Sequence, residues 1–324
     1  MSITRRAALA LPLLAPALRP AHAQRFAAQR PMRMVVPYTP GGVSDITARL
    51  IADPLSVTWG QPVAVENRAG ADGIIGTEVI ARSPADGHTL GLVSVAHPVN
   101  AAFYRLPFDT MADFTFLSLT TRTPLVLCAA RDFAASTPAQ LVDHAKRRGA
   151  GAVTFAGTGG VVRLAPVLFA SLTGIEMTYV PYRGSTQAHP DLMSGRVDIM
   201  FDTVPAALVH IQSGALKALA TTGATRSPQL PDVPTMAEAL LPGFEATTWG
   251  MVMGPGNMAE DLATTQSRDI AQALRVPSVI ERHRILGAEV ISSTPAETRA
   301  FVQAELAKWG ETARRAGIEP QALR

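Results

Sequence analysis

Between residues 32 and 222 the chain alternates two hydrophobic rhythms. Eight short apolar runs, MRMVVPY, PVAVEN, TLGLVSV, LVLCA, VTFAG, MTYVPY, DIMFDT and LKALATT, have strand length and read as strands buried on both faces, as in a parallel sheet. Between them SDITARLIADPL, PAQLVDHAKRR, VRLAPVLFASLTG and PAALVHIQSG place apolar residues three or four apart, which predicts helices with one buried stripe. TRAFVQAELAKWGETARRAG extends the same period near the C-terminus. Strand and helix in alternation predict an α/β fold with crossover helices.

One junction occurs twice. VVPYTPGGVSDITARL runs from a strand through Pro40, Gly41 and Gly42 into a helix, and VTFAGTGGVVRLAPVLF does the same through Gly157, Thr158, Gly159 and Gly160. Separated by roughly 120 residues, the two turns suit one in each of two lobes. Chain crossings are expected near Thr121 to Pro124 and within Ala220 to Trp249. The first lobe would then hold residues 24–122 and 246–324, and the second 123–245.

At 324 residues, 47% of them hydrophobic, the chain can fill two cores. Its first 23 residues follow other rules. MSITRR is basic, AALALPLLAPAL is too short to span a membrane, and Ala21-His22-Ala23 is a small-residue cleavage site. This predicts an export signal cut before Gln24, and therefore a periplasmic protein; Arg5-Arg6 suits either a twin-arginine or a Sec route. Loss of Arg5, Arg6 and Arg19 turns the formal charge of +3 to neutral, so no basic surface for nucleic acid is expected. The run Lys146-Arg147-Arg148 reads as a solvated helix end. The single Cys128 lies in an apolar run and reads as a core thiol.

The glycine turns carry the candidate chemistry. Without Cβ atoms at Gly41 and Gly42, backbone N–H groups can approach a ligand, while Ser44 or Asp45 can cap the helix that follows. A helix N-terminus offers partial positive charge and unpaired N–H groups, both suited to a carboxylate. Four such bonds at about 1.5–3 kcal/mol each make micromolar binding accessible without any catalytic group. A plain strand-to-helix turn is the alternative for one Gly pair; the second copy favours function. Nucleotide fingerprints fail, because Val162 stands where G-x-G-x-x-G needs glycine and no Gly precedes a Lys. H-E-x-x-H and G-x-S-x-G are absent, and one Cys excludes Cys-rich zinc sites. Neither a metal nor a cofactor is expected. His88, His144, His210 and His283 read as residues of surface turns and helices, whereas His97 follows a strand and can face a cleft.

VVPYTPGGVSDITARLIA, VENRAGADGIIG, ADGHTLGLVS, FAGTGGVVRLAPVLF, VPYRGSTQAHPDLMSGRVDIMFDT, GALKALATTGATRSPQLPDVPTMAEA and AELAKWGETARRAGIEP together resemble the Bug-type, TctC-like periplasmic receptors of the tripartite tricarboxylate transporter system, in order and over nearly the whole mature chain. The resemblance implies a type II periplasmic binding-protein fold: two Rossmann-like α/β lobes joined by two crossing strands, with a ligand cleft between. It implies a receptor with no catalysis, capturing a di- or tricarboxylate, an acidic amino acid or an aromatic acid for a membrane permease. By position, Tyr38, Pro40, Gly41, Gly42, Ser44 and Asp45 match the first binding loop, with Val43 where a small or hydroxyl residue is frequent. Ser94 and His97 match a second cleft-facing loop, and Gly157, Thr158, Gly159 and Gly160 the opposing one. There Gly160 replaces a frequent Ser and Arg163 a frequent His. Asp202 and Thr203 match a further cleft position. Arg163 is either a cleft donor or a solvated helix residue; Asp202 either accepts from a ligand amino group or caps the next helix. A monomer is expected. An exported hydrolase with a dispersed Ser/His/Asp set, and a sensor of the same fold presenting its loaded form to a signalling receptor, are the rival readings.

Overall fold

The computed structural model describes residues 26, 28–158 and 160–323. The expected export signal, 1–23, lies outside the described residues. All eight apolar runs form strands or parts of strands. In chain order the strands are β1 (Met32–Val36), β2 (Val63–Asn67), β3 (Thr89–Ser94), β4 (Phe114–Ala130), β5 (Val153–Gly157), β6 (Met177–Pro181), β7 (Ile199–Thr203), β8 (Leu216–Thr221), β9 (Thr247–Pro255) and β10 (Glu289–Val290). The helices are α1 (Val43–Trp59), α2 (Ile74–Ala81), α3 (Ala96–Phe103), α4 (Pro138–Arg148), α5 (Gly160–Thr173), α6 (Ser185–Met193), α7 (Val204–Gln212), α8 (Met236–Ala239), α9 (Glu260–Leu274), α10 (Pro277–Ile285) and α11 (Pro295–Arg315).

The strands hydrogen-bond in the order β2-β1-β3-β9-β4-β7-β5-β6, with β8 and β10 also on β4. Two parallel groups, β2-β1-β3 and β7-β5-β6, are of the expected kind. The expectation of parallel pairing fails in the middle, where β9 is antiparallel to both β3 and β4, and β4 is antiparallel to β7 and β8. Those long strands carry the chain between lobes, so they must run back against the strands that the crossover helices lay down in parallel.

β4 changes partners along its length. Phe114 to Pro124 pair with β9, whereas Leu125 to Ala130 pair with β7 and β8. Thr222 stitches the change: its N–H donates to Leu125 O at 2.9 Å, its Oγ1 accepts from Leu125 N at 2.9 Å, and the same hydroxyl donates to Ala246 O. One buried cluster crosses this boundary, joining Val35 and Val93 to Leu127, Phe155, Phe169 and Trp309. Two more clusters fill the outer faces, one around Met34, Ile51 and Trp59, the other around Val126, Met200 and Leu192. Cys128 is a buried core thiol, as its apolar run implies. Lys146, Arg147 and Arg148 form the exposed last turn of α4.

Candidate functional site

The first glycine turn links β1 to α1. Gly41 has φ +90°, a left-handed conformation that favours glycine, while Gly42 has an ordinary φ of −76°. An added Cβ at Gly42 would meet nothing within 4 Å, so the fold itself does not require glycine there. Asp45 is buried beneath the turn, accepting the Gly41 N–H at 2.9 Å, the Asn67 amide at 2.9 Å and the Arg49 guanidinium. Burial alone would raise its pKa; these hydrogen bonds outweigh it and hold the carboxyl below its usual range. Asp45 therefore shapes the turn from within. Exposed Gly41, Gly42 and Val43 and half-buried Ser44 form the turn's outer face. As the first residues of α1, Val43 and Ser44 present N–H groups that have no acceptor within the helix.

Tyr38 stands where β1 runs out. Its phenol oxygen accepts from Ser94 N at 3.0 Å and Ser94 Oγ at 2.8 Å, leaving its own proton free to donate. Burial raises the Tyr38 pKa, so that proton stays on. Ser94, at the end of β3, thus orients a donor.

Tyr38 lines a cavity of about 450 Å³. On the same side lie Asp72, from the β2–α2 loop, and Asn100, Phe103 and Tyr104, from α3 and its end; Thr158, Gly160 and Arg163 close it from the second glycine turn. Gly159 lies outside the described residues. Gly160 has φ +52°, another position that favours glycine. At Gly157 the requirement is space: a Cβ would sit 2.8 Å from the Tyr179 ring and 3.3 Å from Arg163 Cα. Arg163 lines this cavity from α5. Its guanidinium carbon lies 5.0 Å from the Phe103 ring centre and 4.6 Å from that of Tyr179, stacked between aromatic faces.

Of the expected site residues, Tyr38, Thr158, Gly160 and Arg163 line this cavity, whereas residues 40–45, Ser94 and Gly157 are not in its lining, and His97, Asp202 and Thr203 lie elsewhere. His97 is 3% exposed and packs among Phe108, Phe114 and Phe116, with Nε2 3.0 Å from Thr110 O. Its place on the inner face of α3 turns it from the cleft into the core, and burial pulls its pKa down to about 4. Asp202 is 1% exposed, with Oδ1 accepting from Ser185 Oγ and Thr203 N, both at 2.8 Å, and Oδ2 2.8 Å from His189 Nε2. It ties β7 to α6, and Thr203 beside it ends β7 just before α7. In this set Ser185 and His189 meet only through the carboxylate, which is not the serine-to-imidazole contact that a hydrolase needs. Pro40 continues the first turn and is exposed. The expectation that His283 and His88 sit in surface-like positions also fails: His283 is buried between Thr47 Oγ1 at 2.8 Å and Val279 O at 2.7 Å, tying α10 to α1, and His88 is 8% exposed.

Asp72, Asn100, Phe103 and Tyr104 were not foreseen as site residues. The loop RAGADG did carry a signal in its glycines, and four successive residues there have positive φ: Gly70 at 144°, Ala71 at 45°, Asp72 at 53° and Gly73 at 89°. Tyr104 Oη donates to Asp72 Oδ2 at 2.6 Å, and that bond, with burial, pushes its pKa up to about 12. Among the described residues no cluster of His, Cys, Asp and Glu is arranged to hold a metal, and no helix is long and apolar enough to cross a membrane.

Residues 47–318 match the family model described as "Tripartite tricarboxylate transporter family receptor". The chain is 37% identical over 295 residues to Protein BugT of Bordetella pertussis (strain Tohama I), covering 90% of each. Among solved structures it resembles R. palustris Rpa4515 with adipate, with TM-score 0.73 and 34% identity over 90% of this chain and 99% of that one. It also resembles the periplasmic binding protein BugD, with TM-score 0.71 and 31% identity over 91% of this chain and 100% of the other.

Proposed function

The chain belongs to the tripartite tricarboxylate transporter receptors of the Bug type, and on that premise we propose that it captures a small organic carboxylate in the periplasm and hands it to the membrane subunits of such a transporter. It is a solute-binding protein of α/β periplasmic binding-protein fold and not an enzyme. We place its lobes at residues 24–122 with 246–324, and at 123–245, a division supported by the change of β4 partners at Leu125. The observation that carries the reading is the cavity lined by Tyr38 and Thr39, just before the first glycine turn, and by the second glycine turn, with the Arg163 cation on one wall and the Tyr38 donor on the other. Adipate bound to a relative of the same fold supports the ligand class.

The anion's partners are then Arg163, Tyr38 Oη, and first-turn N–H groups at Gly42 to Ser44 and at the second turn. Gly42 is bare although neither its φ nor its surroundings demand it, which fits a ligand passing close to the backbone. Calorimetric titration with di-, tri-, amino- and aromatic carboxylates should find at least one micromolar ligand. Arg163→Met and Gly42→Ala should each weaken that ligand by about tenfold or more, since a charged hydrogen bond contributes about 1.5–3 kcal/mol, while Gly42→Ala leaves thermal stability unchanged. No binding anywhere in the panel would sink the proposal.

A further inference from the structure

The cavity holds two opposite charges that do not meet. Arg163 lines it from the second glycine turn and Asp72 from the β2–α2 loop, yet among the described residues Asp72 forms no ion pair. Its Oδ2 receives the Tyr104 hydroxyl, and its Oδ1 accepts from no described residue. The placement is enforced. Asp72 has φ +53°, which a residue with a Cβ seldom adopts, and it is held there by Asn100 Nδ2 donating to its carbonyl at 2.9 Å and by Gly73 N donating to Gly70 O at 3.0 Å. Asp72 is exposed and lines the cavity, so an occupant that shields this carboxylate from solvent must offer it a donor or leave it unpaired.

We propose that Asp72 is the specificity-determining residue of this cleft, admitting carboxylates that also bear an ammonium group and disfavouring those that lack one. The inference rests on the reading of the cleft as a carboxylate site. With Arg163 and Asp72 cancelling, the remaining positive potential comes from the N-terminal ends of α1 and α5, roughly half a charge each. That balance suits a ligand of about one net negative charge, such as an amino dicarboxylate, better than a plain dicarboxylate, one of whose carboxylates would face Asp72. The ammonium would meet Oδ1 of Asp72, beside the rings of Tyr104 and Tyr38 that also line the cavity.

The test is calorimetric titration of the purified chain with matched pairs: glutamate against glutarate, aspartate against succinate, and phenylalanine against 3-phenylpropionate. Asp72→Asn preserves size and tolerates positive φ; Asp72→Gly removes the side chain and relieves the backbone, so a loss common to both variants is not a folding failure. The expected result is that the unaltered chain binds the amino member of at least one pair about tenfold or more tightly. Both variants should erase the preference by weakening that member alone, with its partner unchanged or tighter. Preference for the amino-free member overturns the proposal, and so does an equal loss for both members, which would make Asp72 only a loop support or a cross-lobe partner of Arg163. Binding without preference refutes this inference and leaves the carboxylate reading standing. No binding of any of the six compounds overturns this inference, and the carboxylate reading then stands or falls on the wider panel that includes tricarboxylates.

Discussion

His97 shows how a residue's neighbours decide its role. It follows a strand at a position that matches a cleft-facing loop, and nothing local distinguishes a ring turned outward from one turned inward. The determinants are Phe108, Phe114 and Phe116, contributed by the segment after α3 and by β4, which surround the imidazole. The consequence is measurable through acid stability. The folded ring titrates near 4, against 6.5 for a free one. Above about 6.5 neither state holds the proton; between 6.5 and 4 the unfolded chain takes it up and the folded chain does not, so stability falls as pH falls through this window. At about 1.4 kcal/mol per unit the loss approaches 3 kcal/mol by pH 4. His283, also lowered chiefly by burial, acts in the same direction. Urea unfolding at pH 7 and at pH 4.5 should show His97→Gln losing about 2–3 kcal/mol less than the unaltered chain on acidification, by the same conversion; equal losses would refute the assignment. Gly41, Gly157 and Gly160 were legible earlier, because a glycine in a strand-to-helix turn announces a backbone requirement. Asp72 was not, since its importance comes from a left-handed φ and from Tyr104, 32 residues away.

Among elements, the apolar runs specified both parallel groups because β1, β3, β5 and β7 are buried on both faces; the expectation of full burial fails for β2 and β6, which lie at the ends of the strand order and are only partly covered. β9 escaped notice. Its sequence, TTWGMVMGP, has two glycines, and its partners β3 and β4 lie far off in the chain. The first half of β4, FTFLSLTTRT, escaped for a related reason: hydroxyl residues interrupt the apolar run, and Ser118, Thr120 and Thr121 are nonetheless buried. β4 changes partners right after the Thr121 to Pro124 segment that was expected to cross, and Thr222 fastens the strand at that point. Buried between Leu125 and Ala246, its hydroxyl serves both chain passages at once. Thr222→Val keeps the shape and removes the hydroxyl, leaving the Leu125 N–H without its acceptor, at a cost of about 1–3 kcal/mol. Chemical denaturation should register that loss. Its ligand affinity should change little, because the residue lies at the strand crossing and not in the cavity wall; a large loss of affinity with intact stability would mean that the crossing communicates with the cleft.

At the scale of the molecule, the cavity has one wall on each side of the point where β4 changes partners, so a solute that touches Tyr38 and Arg163 together bridges the lobes. A ligand shifts a conformational equilibrium only through contacts that differ between states, and a contact made to both walls exists only when they are close. Two measurements on one sample separate bridging from one-sided attachment. Any ligand that binds the folded chain stabilises it, by about 2.7 kcal/mol at a hundred times its dissociation constant. Only a bridging ligand also reduces the radius of gyration seen by small-angle scattering. The unaltered chain should show both effects with the ligand that calorimetry identifies. Arg163→Met, at ligand concentrations raised to restore saturation through the first glycine turn, should recover the stabilisation but not the contraction, because the second wall has lost its charged contact. Stabilisation and contraction that persist together in this variant would place the bridging contact on the backbone of the second turn, at Thr158 or Gly160, with Arg163 serving selectivity alone.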